Sequence, residues 1–313
     1  MLANILLSFV FLGILIFSAK LVESAFVELG RTFRINEFFL GFVVLGLITS
    51  LPEISIAIFS SEHHPEISAG NLIGATTIIL TLVIGLSAIK YKKIAFEKDF
   101  STRESLGGIF IISLGLLALV DRNLAVYEGI GLILAYLGYV ILINRKMWTT
   151  GRKVFFLTLD NSSMYKSIIL VVVGIFLLLF SSNQIVNNLE AIVDGFGISG
   201  TFVGLVLLSL GTNLPELTIL FTAKPGEEES LALGNFFGSA CINVAILGTL
   251  AIISNGVLLT DITTLTIGLF FLFFALIMFV VFSLSERNLS RREGVLMVSI
   301  YVAMVISQII VLI

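Results

Sequence analysis

The chain has 313 residues, of which 58% are hydrophobic and only 12% charged, against roughly a quarter charged in a soluble protein. That balance excludes a soluble globular protein and points to a polytopic helical membrane protein. The net charge of −3 selects no class of partner, and a single cysteine, Cys241, rules out an intrachain disulfide.

The first element, "MLANILLSFVFLGILIFSA", lacks a basic residue before its apolar part and carries Lys20 after it. A secretory signal has the opposite charge order, so this segment reads as the first membrane helix. Further apolar runs follow, and together they predict ten spans: 2–29, 37–60, 67–89, 105–120, 125–143, 166–189, 200–223, 230–253, 262–283 and 293–312. The widest polar gap, 144–165, contains "NRKMWTTGRK" and divides the chain into halves of five spans, 1–143 and 166–313. The predicted fold class is thus all-α, with ten transmembrane helices in two inverted five-helix repeats.

Orientation follows from the basic residues. Of the 18 Lys and Arg, 17 fall in or beside the odd-numbered loops, leaving Arg122 alone in the even ones. The odd loops are therefore expected in the cytoplasm, and both termini outside, in a multi-pass cell-membrane protein.

The second and seventh spans contain "ITSLPEISI" (48–56) and "GTNLPELTI" (211–219). These belong to longer matches. "GFVVLGLITSLPEISIAIFSS" from Gly41 aligns with "GLVLLSLGTNLPELTILFTAK" from Gly204, an offset of 163. "GNLIGATTIILTLVIG" from Gly70 aligns with "GNFFGSACINVAILG" from Gly234, an offset of 164. The repeated units, 39–89 and 202–253, lie five spans apart and so face opposite ways. Inverted repeats with broken helices characterise secondary transporters.

Each proline removes a backbone donor and displaces the carbonyl four residues earlier, that of Ile48 for Pro52 and Gly211 for Pro215. Thr49 and Glu53, like Thr212 and Glu216, are four apart and share a helical face. Each break thus offers a freed carbonyl, a hydroxyl and a carboxylate. An isolated proline would be read as a kink, and a stray carboxylate as a misplaced span end. A mid-membrane carboxylate costs about 2.5–3.5 kcal/mol, however, and its duplication favours a functional reading. Two copies face to face make a cage of hard oxygens with two negative charges, which suits Ca²⁺ and lacks the thiolates and imidazoles that favour zinc or copper. Gly70 with Gly74, and Gly234 with Gly238, read as close-packing pairs, and Asn71 and Asn235 as partners for freed backbone groups.

Other features read as structural. His63 and His64 are expected to be solvated in an external loop, as is the acidic run Glu227, Glu228 and Glu229 on the other side. Trp148 is expected at the interface, and "LFFLFF" (269–274) against lipid.

The paired "TSLPE" and "TNLPE", each followed by a "GN…G" helix, resemble the alpha-repeats of the calcium/cation antiporter superfamily, nearest to its prokaryotic Na⁺/Ca²⁺ exchangers. The resemblance implies Ca²⁺ extrusion by alternating access, spans 1 and 6 sliding against the rest, with no cofactor beyond the transported ions. It also implies a ligand set of Glu53, Glu216, Thr49, Thr212, Ser50, Asn213, Ser239, Asn243 and the carbonyls of Gly46 and Ser209. The family's polar positions on the third span are Ala75 and Ile79 here, and Asn243 stands where an aspartate is common. The counter-ion, Na⁺ or H⁺, therefore stays open.

Two readings from other classes compete. "GISG" (197–200) fits an intramembrane serine protease with Ser199 as nucleophile, which would need a histidine base on another span. A cation channel differs in flux kinetics.

Overall fold

A computed structural model of the chain describes residues 2–32, 46–91, 93–95, 102–149, 161–222, 227–285 and 288–312. The first predicted span is one helix, α1 (Leu2–Thr32). The second is broken into α2 (Gly46–Thr49) and α3 (Leu51–Ser60). The third is α4 (Pro65–Ile78), continuing through a π-helical turn, Ile79–Val83, into α5 (Ile84–Tyr91). The helices α6 (Thr102–Ala118), α7 (Val126–Thr149) and α8 (Asn161–Phe196) come next. The second broken element comprises α9 (Gly200–Phe202), a π-helical stretch Val203–Leu208, α10 (Ser209–Thr212) and α11 (Leu214–Thr222). The remaining helices are α12 (Glu227–Ile253), α13 (Ile262–Ser285) and α14 (Arg291–Leu312).

Eight helical stretches among the described residues are long and apolar enough to cross a membrane; Leu51–Ser60 and Leu106–Ala118 are shorter apolar helices. Several helices outrun the apolar runs that predicted them: α8 extends to Phe196 and α7 to Thr149. Hydropathy marks the part of a helix that meets lipid, and good helix formers carry the backbone bonds further. Residues 33–45, 150–160 and 223–226, which include the start of the first repeat and the centre of the linker between the halves, lie outside the described residues, as do the side chains of Trp148 and Glu227 to Glu229.

The helices sort into a core and a jacket. Most of Pro65–Tyr91, Gly200–Leu217 and Asn235–Ile253 is buried (83%, 78% and 78% of their windows), against 22% for Ala3–Phe26 and 28% for Tyr165–Phe196. The outer faces carry Phe9, Phe17, Phe176 and Phe180, as a lipid-facing surface requires. Within 269–274, Phe270, Phe273 and Phe274 face outward as expected, whereas Leu272 is buried and Phe271 packs on the core.

α1 and α8 form a close pair. Phe11 meets Phe180 edge-on at 6.0 Å, and a Cβ on Gly174 would sit 2.5 Å from Val22 Cγ2. This pair leans on the broken elements, with Ser55 Oγ 2.6 Å from Ser182 Oγ. Two short antiparallel ladders tie the loops. β1 (Lys93–Ala95) pairs with β4 (Asn288–Ser290), and β2 (Asn123–Leu124) with β3 (Val257–Leu258).

The two loop histidines differ from each other. His63 is exposed, but half-buried His64 places Nδ1 2.8 Å from Glu66 Oε1 and Nε2 3.5 Å from Asp194 Oδ1. It is therefore a bracket between the start of α4 and the end of α8 rather than a solvated side chain.

Candidate ion site

The prolines break their helices as their chemistry dictates. Ser50 leaves helical geometry at φ −86°, ψ 5°, and Asn213 does the same at φ −91°, ψ 8°. Pro52 and Pro215 follow within the first turn of α3 and α11, where a missing N–H costs nothing. The chain nevertheless keeps bonds across each break. Ser50 N donates to Gly46 O at 3.2 Å and Ile54 N to Ser50 O at 3.0 Å, and Asn213 N to Ser209 O and Leu217 N to Asn213 O, both at 3.2 Å.

Each break is covered by the Gly-Asn helix of the other repeat, and glycine makes that possible. A Cβ on Gly70 would collide with the backbone oxygen of Thr201, and one on Gly74 with that of Leu205. A Cβ on Gly46 would lie 3.0 Å from the Gly238 backbone. α4 thus lies against the second broken element, and α12 against the first, at backbone distance.

The approach knits the two repeats together in a reciprocal way. Thr49 Oγ1 is 3.2 Å from Asn235 Oδ1 and 2.8 Å from Ser239 Oγ. Thr212 Oγ1 is 3.3 Å from Asn71 Oδ1. Each threonine also reaches the carboxylate of the opposite repeat, Thr49 that of Glu216 and Thr212 that of Glu53. Asn71 and Asn235 therefore serve the threonines, not the freed backbone groups assigned to them from sequence. Thr49 and Glu53, like Thr212 and Glu216, share the break of their own repeat by spacing, and each threonine is linked in addition to the opposite repeat.

Every residue of the predicted ligand set is buried, including Glu53 at 3% and Glu216 at 2% exposure. The carboxylates lie within electrostatic range of each other, and Oε2 of each is buried with no hydrogen-bond partner. Nδ2 of Asn71 and of Asn235 is likewise buried and unpartnered. Two like charges with orphaned oxygens cannot remain in a dry interior without a positive partner, either a cation or protons. No cluster of three His, Cys, Asp or Glu side chains suited to a metal exists among the described residues. A cation held here must complete its shell with neutral oxygens, which the hydroxyls and carbonyls of the breaks supply. The two breaks are not identical. Asn213 Nδ2 donates to Ser209 O at 2.8 Å, drawing on a carbonyl whose first-repeat counterpart, Gly46 O, takes no amide side chain among these bonds.

Asn243 stands apart from this network. Its Nδ2 donates to Thr76 Oγ1 at 3.2 Å, its Oδ1 is buried without a partner, and both residues line a cavity of about 20 Å³, room for one water. Ala75 and Ile79 are fully buried. Thr76 and Thr77 donate to Leu72 O and Ile73 O, each at 2.8 Å, and Thr81 donates to Thr77 O. Ser199 caps α9 by accepting from Phe202 N at 3.4 Å. One carboxylate escaped the sequence reading: Glu23 on α1, half-buried and within electrostatic range of Glu216. The available signal was its position inside an apolar span.

The family model described as "Sodium/calcium exchanger protein" matches residues 3–144 and 166–310. The putative antiporter CaxA of Alkalimonas amylolytica is 30% identical over 264 residues, covering 80% of this chain and 81% of that protein. The inner membrane protein YrbG of Escherichia coli is 26% identical, covering 78% of each. The sodium-calcium exchanger NCX_Mj, soaked with Na⁺ and Sr²⁺, superposes with a TM-score of 0.70 over 97% of both chains at 21% identity, which speaks to the fold alone.

Proposed function

Since this chain belongs to the sodium/calcium exchanger family, and is a transporter rather than a hydrolase, we propose that it exports Ca²⁺ in exchange for Na⁺. The observation that carries the proposal is the pair of buried, mutually repelling carboxylates, Glu53 and Glu216, each with an unpartnered oxygen. Their two charges match one Ca²⁺. Thr49, Thr212, Ser50, Ser239 and the carbonyls of Gly46 and Ser209 complete an oxygen shell that Asn213 flanks, while Asn243 lies apart on Thr76.

Ten crossings in two inverted halves, 1–143 and 166–313 joined by the linker 144–165, provide the mechanical frame. The family match pauses over 145–165, which supports that division. The reciprocal Thr49–Asn235 and Thr212–Asn71 contacts support a pseudo-twofold relation between the repeats. So do the ladders: in a ten-span count β1–β4 joins the third and ninth loops, and β2–β3 the fourth and eighth, one ladder on each face. Alternating access then consists of α1 and α8 sliding together across the breaks. The basic-residue bias puts both termini outside and the linker in the cytoplasm of a cell-membrane protein.

Proton exchange is the second reading, favoured by one observation. Ala75 and Ile79 bury a methyl and a branched alkyl on the helix that should furnish neutral oxygens for Na⁺, whereas the two carboxylates could release two protons for each Ca²⁺ bound. Uptake of ⁴⁵Ca²⁺ into proteoliposomes separates the two. Uptake driven by an imposed Na⁺ gradient upholds Na⁺ exchange; uptake driven only by a pH gradient replaces it with H⁺ exchange.

A further inference from the structure

Glu23 is an acidic residue in a membrane-spanning helix that belongs to neither repeat and is not part of the ion site. It lies in the apolar stretch Ala3–Phe26 of α1, where an ionisable group is expensive and functional by default. Its surroundings are specific. Val22, its neighbour, is fully buried against Ile48 of the first break, with Phe26, Leu51 and Ile175 around them. Eleven residues earlier, Leu12 rests on the second break, where a Cβ on Gly211 would approach Leu12 Cδ1 to 2.6 Å. α1 therefore crosses both breaks, and Glu23 is carried past the site by the helix that covers it. A carboxylate turned to lipid would be exposed, but this one is half-buried beside Val22, which packs on Ile48 of the first break. Its opposing charge is Lys20, three residues earlier on the same helical face and itself exposed.

We propose that Glu23 is a relay ligand for the divalent cation, a third carboxylate that engages the ion between the Glu53–Glu216 pair and the membrane face at the C-terminal end of α1. The proposal rests on the Ca²⁺-transport reading above. Two carboxylates already balance Ca²⁺, so a third has no place in the closed site. On the path it draws the ion in, and Lys20 takes over its charge once the ion has moved on. Because Glu23 rides on α1, sliding of α1 with α8 brings it toward Glu216 in one state and away in the other. Its effect is therefore confined to one side of the membrane.

The test is half-saturation of ⁴⁵Ca²⁺ exchange measured separately from each face, in vesicles of the two orientations, for the parent, Glu23→Gln and Glu23→Asp. From the face at the C-terminal end of α1, half-saturation should rise about tenfold in Glu23→Gln, the scale of one charge interaction at partly buried depth. From the opposite face it should not change, and Glu23→Asp should stay near the parent. No shift on either face, or an equal shift on both, overturns the relay. Should Glu23→Gln fail to fold, Lys20→Gln decides: it should lower half-saturation at the same face, and an unchanged value overturns the proposal. A parent that carries no Ca²⁺ overturns the transport reading and the relay with it. A parent that carries Ca²⁺ beside an indifferent Glu23→Gln leaves the transport reading standing and removes only the relay.

Discussion

Replacing Gly74 by alanine should damage the site without touching a ligand. The added methyl would meet Leu205 O, lie 2.5 Å from Ser209 Oγ and 2.7 Å from Ser209 Cβ. Leu205 O belongs to a backbone, so it cannot swing aside as a side-chain tip would. Overpacking of this kind costs about 1–3 kcal/mol. The helix itself gains about 1 kcal/mol from Gly to Ala, which offsets part of the loss. The net cost is then about 0–2 kcal/mol, or a Tm lower by up to several degrees at about 2–4 °C per kcal/mol. The displaced residue matters more than the cost. Ser209 donates to Leu205 O, and its own carbonyl receives Asn213 N at 3.2 Å and Asn213 Nδ2 at 2.8 Å. Pushing Ser209 away therefore moves the second break, and Ca²⁺ half-saturation should rise with the fall in Tm. Gly131 and Gly138 supply the control, since a Cβ there meets nothing within 4 Å. Alanine at those positions should leave Tm unchanged or raise it slightly. Thermal unfolding of the purified variants and ⁴⁵Ca²⁺ exchange check both parts. A Gly74→Ala protein with parental Tm and parental Ca²⁺ dependence would refute the close-packing argument.

Three further outcomes are expected. Burial alone would lower the His64 pKa, but the bond to Glu66 and the charges of Glu66, Asp194 and Glu190 outweigh it and raise it above 6.5. The stability this bracket adds is thus fully present below that ordinary value and lost as pH rises through the raised one. It should be worth less than about 1 kcal/mol, as a partly exposed pair is screened, and His64→Gln should flatten the Tm-against-pH curve as pH rises from 6.5; an unchanged curve would dismiss the bracket. Ala75→Ser combined with Ile79→Asn should increase the apparent Na⁺ affinity of exchange, each recovered ion–oxygen contact being worth about 1–3 kcal/mol by analogy with an unpaired polar group. Unaltered Na⁺ dependence would show that these positions do not limit Na⁺ binding. With buried Cys241 removed, a thiol at Trp148→Cys should react only from the cytoplasmic side and one at His63→Cys only from outside. Reaction of both from one side would contradict the ten-span topology.

Local chemistry made much of this molecule legible in its sequence. Pro52 and Pro215 break helices wherever they stand, and the Gly70–Gly74 spacing permits only close packing, so both features appear where the repeats put them. The crossed bonds were not legible. That Thr49 meets Asn235, Ser239 and Glu216 depends on how one repeat docks on the other, which spacing inside a repeat cannot express. The π-helical turns at Ile79–Val83 and Val203–Leu208 were equally hidden, because "ILTLV" and "VGLVLL" are ordinary helical sequences and the shift of register is imposed by packing. Glu23 lies inside the apolar stretch of α1, and its partial burial depends on how α1 docks against α8 and the breaks, which the sequence does not express. His64 gained its partners from α8, more than a hundred residues away in sequence.

The central claim is that Glu53 and Glu216 together hold the transported Ca²⁺. Uptake of ⁴⁵Ca²⁺ by Na⁺-loaded proteoliposomes tests it most directly, comparing the parent with Glu53→Gln and Glu216→Gln. A neutral amide keeps the shape of each side chain and removes half the charge of the pair. The account predicts accumulation by the parent and only background uptake by either variant, both variants remaining folded and inserted. Uptake by either variant at the parental rate would contradict it.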